Sequence, residues 1–407
     1  MSLLIRSKWL SLADFEGRKG WISLFLIGGV VASLASVFAS SLLLVLGGGV
    51  WIWDCFRDRR LRLRMPPFKF FMFAFLALVL ISILFSSDRL ASALYLKKLL
   101  KYFVVFLLYT YLTREQIVKG MNWVFLVAGA SAAWGIGQYF WLKDVDLLNR
   151  IDGFMSHWMT FSGQLMICAV ALAVFLAYLW KAHGLGGWRQ RVLFLCFPVV
   201  LFALLLTMTR SAWIGVAGGL FVLVASLRFR WVLAGAGIGL LVLVFLPSSF
   251  KVRLYSGFDL RDETTRGRIE IFETGLRMVA ANPLTGVGPR MVAAEAAGYR
   301  QEQEFPEWAY QHLHNNAIQI AAEVGIPALL VWLGLWLWIA YDLLGFRRRK
   351  REDQLASSLA LMALCVMAAF HLMGLLEYNA GDSEVATLII FFVSAAYAVR
   401  RQEGGED

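Results

Sequence analysis

The sequence predicts an all-α, polytopic membrane protein with about twelve transmembrane helices and one long external loop. Three observations carry that prediction. Hydrophobic residues make up 59% of the 407 and charged residues only 16%, far from the balance of a water-soluble domain. Apolar runs recur from near residue 21 to residue 399, most of them close to the ~20 residues a helix needs to cross a hydrocarbon core about 30 Å thick. These runs lack the apolar/polar alternation of a membrane β-barrel. In lipid every backbone group must then be paired within its own segment, which leaves helices.

Taken in order, the predicted spans are 21–36, 38–56, 68–86, 98–113, 121–141, 158–180, 191–208, 211–227, 231–247, 315–344, 355–377 and 384–399. Residues 21–56 form one apolar stretch interrupted by Gly47-Gly48-Gly49, too long for one span and suited to two short ones. The spans divide the chain into an N-terminal bundle of about nine helices (1–247), an external loop region (248–313), and about three C-terminal helices with a tail (314–407). Cys55, Cys168, Cys196 and Cys365 lie in or beside apolar runs without metal-ligand spacing and read as packing residues. The N-terminal segment lacks a short apolar core followed by a small-residue cleavage site, so it reads as a retained cytoplasmic lead.

Orientation follows from the basic loops. Positive charge collects in 57–69, 181–191, 228–230, 346–352 and Arg400-Arg401, and with twelve spans all five fall on one side, the cytoplasmic side by the positive-inside rule. Both termini are then cytoplasmic. The net charge of +11 is topological information, scattered over short loops without the single basic stripe that nucleic acid would require. Membrane lipids are the expected surroundings.

The external face holds the residues that can carry chemistry. Arg210 sits in the turn LLTMTRSAWIGVAGG between two spans, where a charge is costly without a task; Gly215 and Gly219 behind it form a GxxxG pair suited to close helix packing. Residues 266–282 read as an amphipathic helix ended by Asn282-Pro283, with Ile269, Phe272, Leu276 and Val279 on one face and Arg266–Glu270 and Glu273–Arg277 pairs on the other. Arg268 falls at the edge of the apolar stripe with no acid three or four residues away, a candidate anion ligand. The turn NPLTGVGPRM brings Arg290 to the same face.

His312 and His314 flank Leu313 just before the stretch NNAIQIAAEVGIPALL. An imidazole titrates near neutrality and suits a general base, whereas HxH without a third ligand at suitable spacing is a weak metal motif; no metal and no cofactor are expected. Asn315 is a helix-capping residue as well as a candidate substrate contact, and Gly325-Ile326-Pro327 marks a kink or a break between a short external helix and the span proper. Arg150 and His157 in one external loop, and Glu377 and Asp382 in another, are further candidates for donor and acceptor contacts. Glu323 is an ionisable group beside the predicted break. Arginines that stabilise a leaving pyrophosphate, together with a histidine that activates a hydroxyl, suit glycosyl transfer from a lipid pyrophosphate.

The array TMTRSAWIG (207–215), TTRGRIEIFETGLRMVAANPLTGVGPRM (264–291) and HLHNNAIQIAAEVGIPALL (312–330) resembles the O-antigen ligase and O-antigen polymerase superfamily. Its members are similar in carrying about twelve spans and a long periplasmic loop before a His-Asn pair, nine residues, then Gly; here these are His314-Asn315 and Gly325. Ala328 stands where ligases often carry Gly, Thr or Tyr. The resemblance implies a GT-C-like, metal-independent glycosyltransferase of the bacterial inner membrane. Its donor would be a glycan on undecaprenyl pyrophosphate, and its acceptor lipid A-core in a ligase or another lipid-linked glycan in a polymerase. It also implies roles for His314 as base and for Arg210 and Arg268 as pyrophosphate ligands. Arg290, His312, Asn315, His157, Arg150, Glu377 and Asp382 are expected around the substrates. A lipid-linked glycan flippase is the competing class.

Overall fold

The computed structural model describes residues 15–141, 150–184, 187–226, 255, 263–301 and 310–403, and every regular element among them is helical. The long apolar stretch divides into two helices, Gly17–Ala32 (α1) and Val37–Asp58 (α2), of which α2 is long and apolar enough to cross a membrane. The division falls at 33–36, where Ser36 Oγ accepts from Ala39 N–H at 3.2 Å and caps α2. Gly47 stays inside α2, against Phe25 and Leu26 of α1, so this glycine is a packing residue and not a break.

Lys69–Phe85 (α3) follows as expected. The predicted span 98–113 is corrected to short pieces: Arg89–Ala93 (α4), Leu96–Tyr102 (α5) and Val104–Tyr111 (α6), with a tight i→i−3 hydrogen bond from Phe103 N to Leu100 O at the joint. The physical reason is charge. Lys97, Lys98 and Lys101 cannot face hydrocarbon, and Lys98 Nζ reaches Gly381 O at 3.4 Å instead. Arg114–Trp141 (α7), Trp158–His183 (α8), Trp188–Leu206 (α9) and Arg210–Ala225 (α10) complete the described N-terminal part. The expected span 231–247 lies outside the described residues.

Glu263–Ala281 (α11) and Val292–Glu295 (α12) belong to the loop region. Asn316–Val324 (α13), Ile326–Arg349 (α14), Gln354–Gly374 (α15) and Ser383–Glu403 (α16) close the chain. Among the described residues six helices (α2, α7, α8, α14, α15 and α16) are long and apolar enough to cross a membrane. Three shorter apolar ones cover 69–85, 190–206 and 210–225. α15 and α16 are mostly buried and form the centre of the bundle, whereas α2 and α14 are mostly exposed along their apolar windows and so present that surface to lipid.

Side-chain bonds sort the chain into two ends. At one end Arg18 pairs with Asp54 at 2.9 Å, Arg62 with Asp58 at 3.0 Å, Arg114 with Asp353, and Arg400 with Asp342. Gln402 Nε2 donates to Leu112 O there. This end gathers the basic segments around 57–62, 346–352 and 400–401; segment 228–230 lies outside the described residues. At the other end Ser87 bonds Glu295, Asn316 bonds Asn379, and Gln164 bonds Ser33 O. The bundle is thus basic at one end and carries the loop region at the other.

α11 turns a different face inward from the one its apolar stripe predicts. Ile269, Phe272 and Leu276 are exposed, whereas Ile271, Thr274 and Met278 are buried with Glu270. Gly275 explains the choice: a Cβ there would lie 2.6 Å from Ile318 and 2.9 Å from Leu313, so the helix approaches α13 along the face that carries a glycine. Arg268, Ile271, Gly275 and Met278 share that face. Arg277 bonds Glu270 at 2.8 Å more closely than Glu273 at 3.5 Å, because Glu270 lies on the packed side.

The GIP break is real and is built by the NPLTGVG turn. Gly325 (φ +95°) separates α13 from α14. Ile326 N donates to Pro283 O, Val287 N to Ala322 O, and Gly288 N to Glu323 O, so the turn takes up backbone groups that the broken helix leaves free. A Cβ at Gly325 would stand 2.2 Å from Leu284 O, a backbone atom with no room to retreat, in a φ region that side chains rarely adopt. Gly325→Ala should cost at least about 3 kcal/mol, read as a drop in melting temperature of the purified protein.

Candidate functional site

The loop before α13 and the loop after α15 meet at the end of the bundle away from the basic cluster, and three short-range locks fix them. Asn315 caps α13, its Oδ1 accepting from Ile318 N at 3.0 Å while its Nδ2 donates to Leu375 O at 2.9 Å. Asn316, buried, donates to Asn379 Oδ1 at 2.6 Å and accepts from Ala380 N. Gln319 Oε1 accepts from Leu313 N at 2.7 Å, which holds the intervening backbone between the two histidines. Gly374 leaves room for this arrangement, since a Cβ there would meet Asn316 Nδ2 at 2.1 Å. Asn315 therefore spends its amide on the protein and positions its neighbours. Asn316 and Asn379 went unnoticed in the sequence because a buried Asn-Asn lock has no local signature.

The locks bring His314 against Glu377. Nδ1 of His314 lies 2.8 Å from Glu377 Oε1, and Arg268 Nη2 lies 3.5 Å from Oε2. Each oxygen of a carboxylate that is only 4% exposed thus faces a different basic partner. Burial alone pushes the Glu377 carboxyl up. The His314 hydrogen bond, the Arg268 charge and the charges that the two histidines carry when protonated outweigh it and hold the group below its ordinary value. Glu377 is therefore an anion at neutral pH.

His314 adopts φ +48°, a left-handed conformation uncommon for a residue with a side chain. Met208 and Arg290 share that feature at φ 52° and 64°. His312 stands edge-on to His314, ring centroids 4.2 Å apart, with Nδ1 3.9 Å from the same Glu377 oxygen. Burial, then the neighbouring His314, push the His312 imidazole down to about 4, so it is neutral at physiological pH.

The other predicted residues distribute unevenly. His157 caps α8, accepting from Met159 N at 3.2 Å, and stacks on Trp158. Its pKa is lowered, chiefly by burial, against the opposing charge of Glu377. Arg150 lies over the Trp158 ring at 5.1 Å. Asp382, half-buried near Thr160, is pushed up to about 7 by desolvation, then by Glu384 and Glu377.

Arg210 opens α10, and glycine contacts fix its level. Gly215 abuts Ala369 and Gly219 abuts Cys365, an antiparallel register that puts Arg210 near Gly374, at the site's end of α15. The predicted GxxxG packing is realised there. Arg290 goes elsewhere: its side chain is exposed, and its N–H donates to Glu323 Oε1 at 2.9 Å.

Glu323 belongs to the docking of the turn onto α13. It is buried and accepts from Gln319 Nε2 as well as Arg290 N, and burial pushes its carboxyl up to about 7. A carboxyl raised above its unfolded value binds protons more tightly when folded. Its contribution is complete below about pH 4.5 and falls away as pH rises through about 7. Glu323→Gln keeps both acceptor contacts and should flatten the loss of melting temperature between those pH values, a difference of up to about 3 kcal/mol.

An apolar cavity of about 470 Å³ lies beside the cluster, with Tyr95, Ile320, Trp336, Phe370, Tyr378 and Ala386 among its lining. Tyr378 links the two: it follows Glu377 in the chain, and its ring centroid is 6.0 Å from that of His312.

No curated protein matches the chain. Residues 192–333, which include Arg210, Arg268, His314 and Gly325 but stop short of Glu377, match the family model described as O-antigen ligase.

Proposed function

We propose that the protein is an O-antigen ligase: a metal-independent glycosyltransferase of the bacterial inner membrane that moves a glycan from undecaprenyl pyrophosphate to a sugar hydroxyl of lipid A-core. The observation that carries this reading is the 2.8 Å contact between His314 Nδ1 and the buried Glu377 carboxylate. A carboxylate holding Nδ1–H fixes the tautomer in which Nε2 is a bare acceptor. The acceptor hydroxyl gives its proton to Nε2 as its oxygen attacks the anomeric carbon. The bond from that carbon to the pyrophosphate oxygen breaks, and the leaving pyrophosphate keeps the electron pair. Arg268 and Arg210 stabilise the charge that develops there. His157 and Arg150 border the donor, and Asp382 and His312 lie toward the acceptor. The site faces the periplasm, with the basic end and both termini in the cytoplasm.

The apolar cavity suits the carrier's lipid chain, because Tyr378, the chain neighbour of Glu377, lines it and the rest of its wall is almost wholly hydrocarbon and aromatic surface. Ala386→Trp, which fills it, should raise KM for the full-length carrier about tenfold and leave a short-chain donor analogue unaffected.

The test uses purified protein in proteoliposomes with glycan-labelled donor and acceptor. Label should leave the lipid carrier and appear on the acceptor. Movement of intact carrier across the bilayer without transfer sinks the reading in favour of a flippase. Deleting the gene separates the two acceptors: uncapped lipid A-core with long carrier-linked polymer retained marks a ligase, and single capped repeats mark a polymerase.

A further inference from the structure

We propose that His312, His314 and Glu377 form a binding site for a borderline-soft divalent cation of the Zn2+ class, and that filling it blocks the transfer reaction. One donor atom from each residue lies within 4.8 Å of the others. Around a tetrahedral ion with bonds of about 2.0–2.2 Å, donors stand about 3.3–3.5 Å apart. The two histidine-to-carboxylate separations here, 2.8 and 3.9 Å, bracket that spacing, so side-chain shifts of about an ångström bring the three donors onto one ion.

The two histidines aim at one and the same oxygen, Oε1, of a carboxylate that is almost fully buried. His314 satisfies that oxygen. The His312 ring is about a third exposed as a whole, yet its Nδ1 is closed off from solvent and has no hydrogen-bond partner among the described residues. A buried nitrogen left unpaired beside a carboxylate is a costly arrangement, and a cation between them would satisfy both. Arg268 approaches through the other oxygen, Oε2, so that Oε1 meets only the two histidines and the Tyr378 N–H at 3.3 Å. Two imidazoles and one carboxylate suit Zn2+, Cu2+ or Ni2+ over the oxygen-seeking Mg2+ and Ca2+. Three protein ligands leave a fourth position open to solvent or substrate oxygen.

The inhibitory consequence follows from the same atoms and rests on the base assignment above; the binding itself does not. A neutral imidazole that gives its Nδ1 lone pair to a metal carries its proton on Nε2. That nitrogen then has no lone pair with which to accept a proton from the acceptor hydroxyl. The cation also withdraws the Glu377 oxygen that orients the ring.

The experiment takes full-length protein in nanodiscs, stripped with chelator and titrated with Zn2+ and Co2+ in the absence of substrate. One ion per chain should bind with micromolar or tighter affinity, and Co2+ should show the visible bands of a low-symmetry site. His312→Ala and Glu377→Gln should each weaken binding about tenfold or more, while exposed Glu273→Gln should leave it unchanged. X-ray absorption at the zinc edge of the wild-type protein, which needs no variant to fold, should report two imidazoles and one carboxylate. Absence of binding in that range, undiminished binding by folded His312→Ala, or a zinc shell without imidazole overturns the proposal. In the transfer assay Zn2+ should stop the wild type reversibly, and whatever transfer His312→Ala retains should be insensitive to it. Zinc bound with the two-imidazole signature while transfer continues would uphold the site and refute the role of His314 as base.

Discussion

His314→Ala should lower the transfer rate by about 10²–10⁴-fold while the protein keeps its melting temperature within a few degrees and still binds the lipid-linked donor. The size follows from what is removed. Without Nε2 the acceptor hydroxyl must lose its proton to water, but the arginines that stabilise the leaving pyrophosphate remain. Donor KM should therefore change little, because His314 touches the attacking side of the reaction and not the phosphate. The fold has little reason to collapse: His314 is only partly buried, and its conformation is held by neighbours, through Gln319 at Leu313 N and through the Asn315 cap. A transfer rate within about threefold of wild type, well inside the range expected for loss of a general base, would remove His314 from the base role.

How far the sequence revealed this site depends on the separation over which each residue finds its partner. The spans were legible because hydrophobicity is a local property, and the GIP break was legible because glycine and proline act on their own backbone. Arg268 stands out for lacking an acid one helical turn away, but its partner Glu377 is 109 residues distant and no periodicity reaches it. Glu377 itself read as an interfacial carboxylate among several, since nothing near it in the chain announces burial. The folded α11 shows the opposite failure. Its apolar stripe is plain in the sequence and points outward, because the face that packs on α13 is chosen by Gly275 and by the Glu270–Arg277 pair. In a protein surrounded by lipid, apolar periodicity marks surface and core alike, and small or polar residues carry the packing information.

The second large effect should come from Glu377, and its form distinguishes an orienting partner from a structural one. Glu377→Gln keeps the shape but offers an amide to both neighbours. Its NH2 can meet the Nδ1 of His314 only if that nitrogen gives up its proton, which moves the proton to Nε2 and leaves no acceptor for the hydroxyl. Transfer should fall by about 10²–10⁴-fold, close to the loss in His314→Ala. The double variant should be scarcely worse than either single one, because residues that act as a unit are not additive. Arg268 supplies the control. Its 3.5 Å contact with Oε2 is long and partly exposed, so Arg268→Ala should raise donor KM and reduce the rate independently, and its effect should multiply with that of His314→Ala. Had Glu377 merely tied loops together, its loss would instead lower the melting temperature and multiply with every other defect. An additive His314–Glu377 cycle would mean that the 2.8 Å bond holds the fold and not the proton.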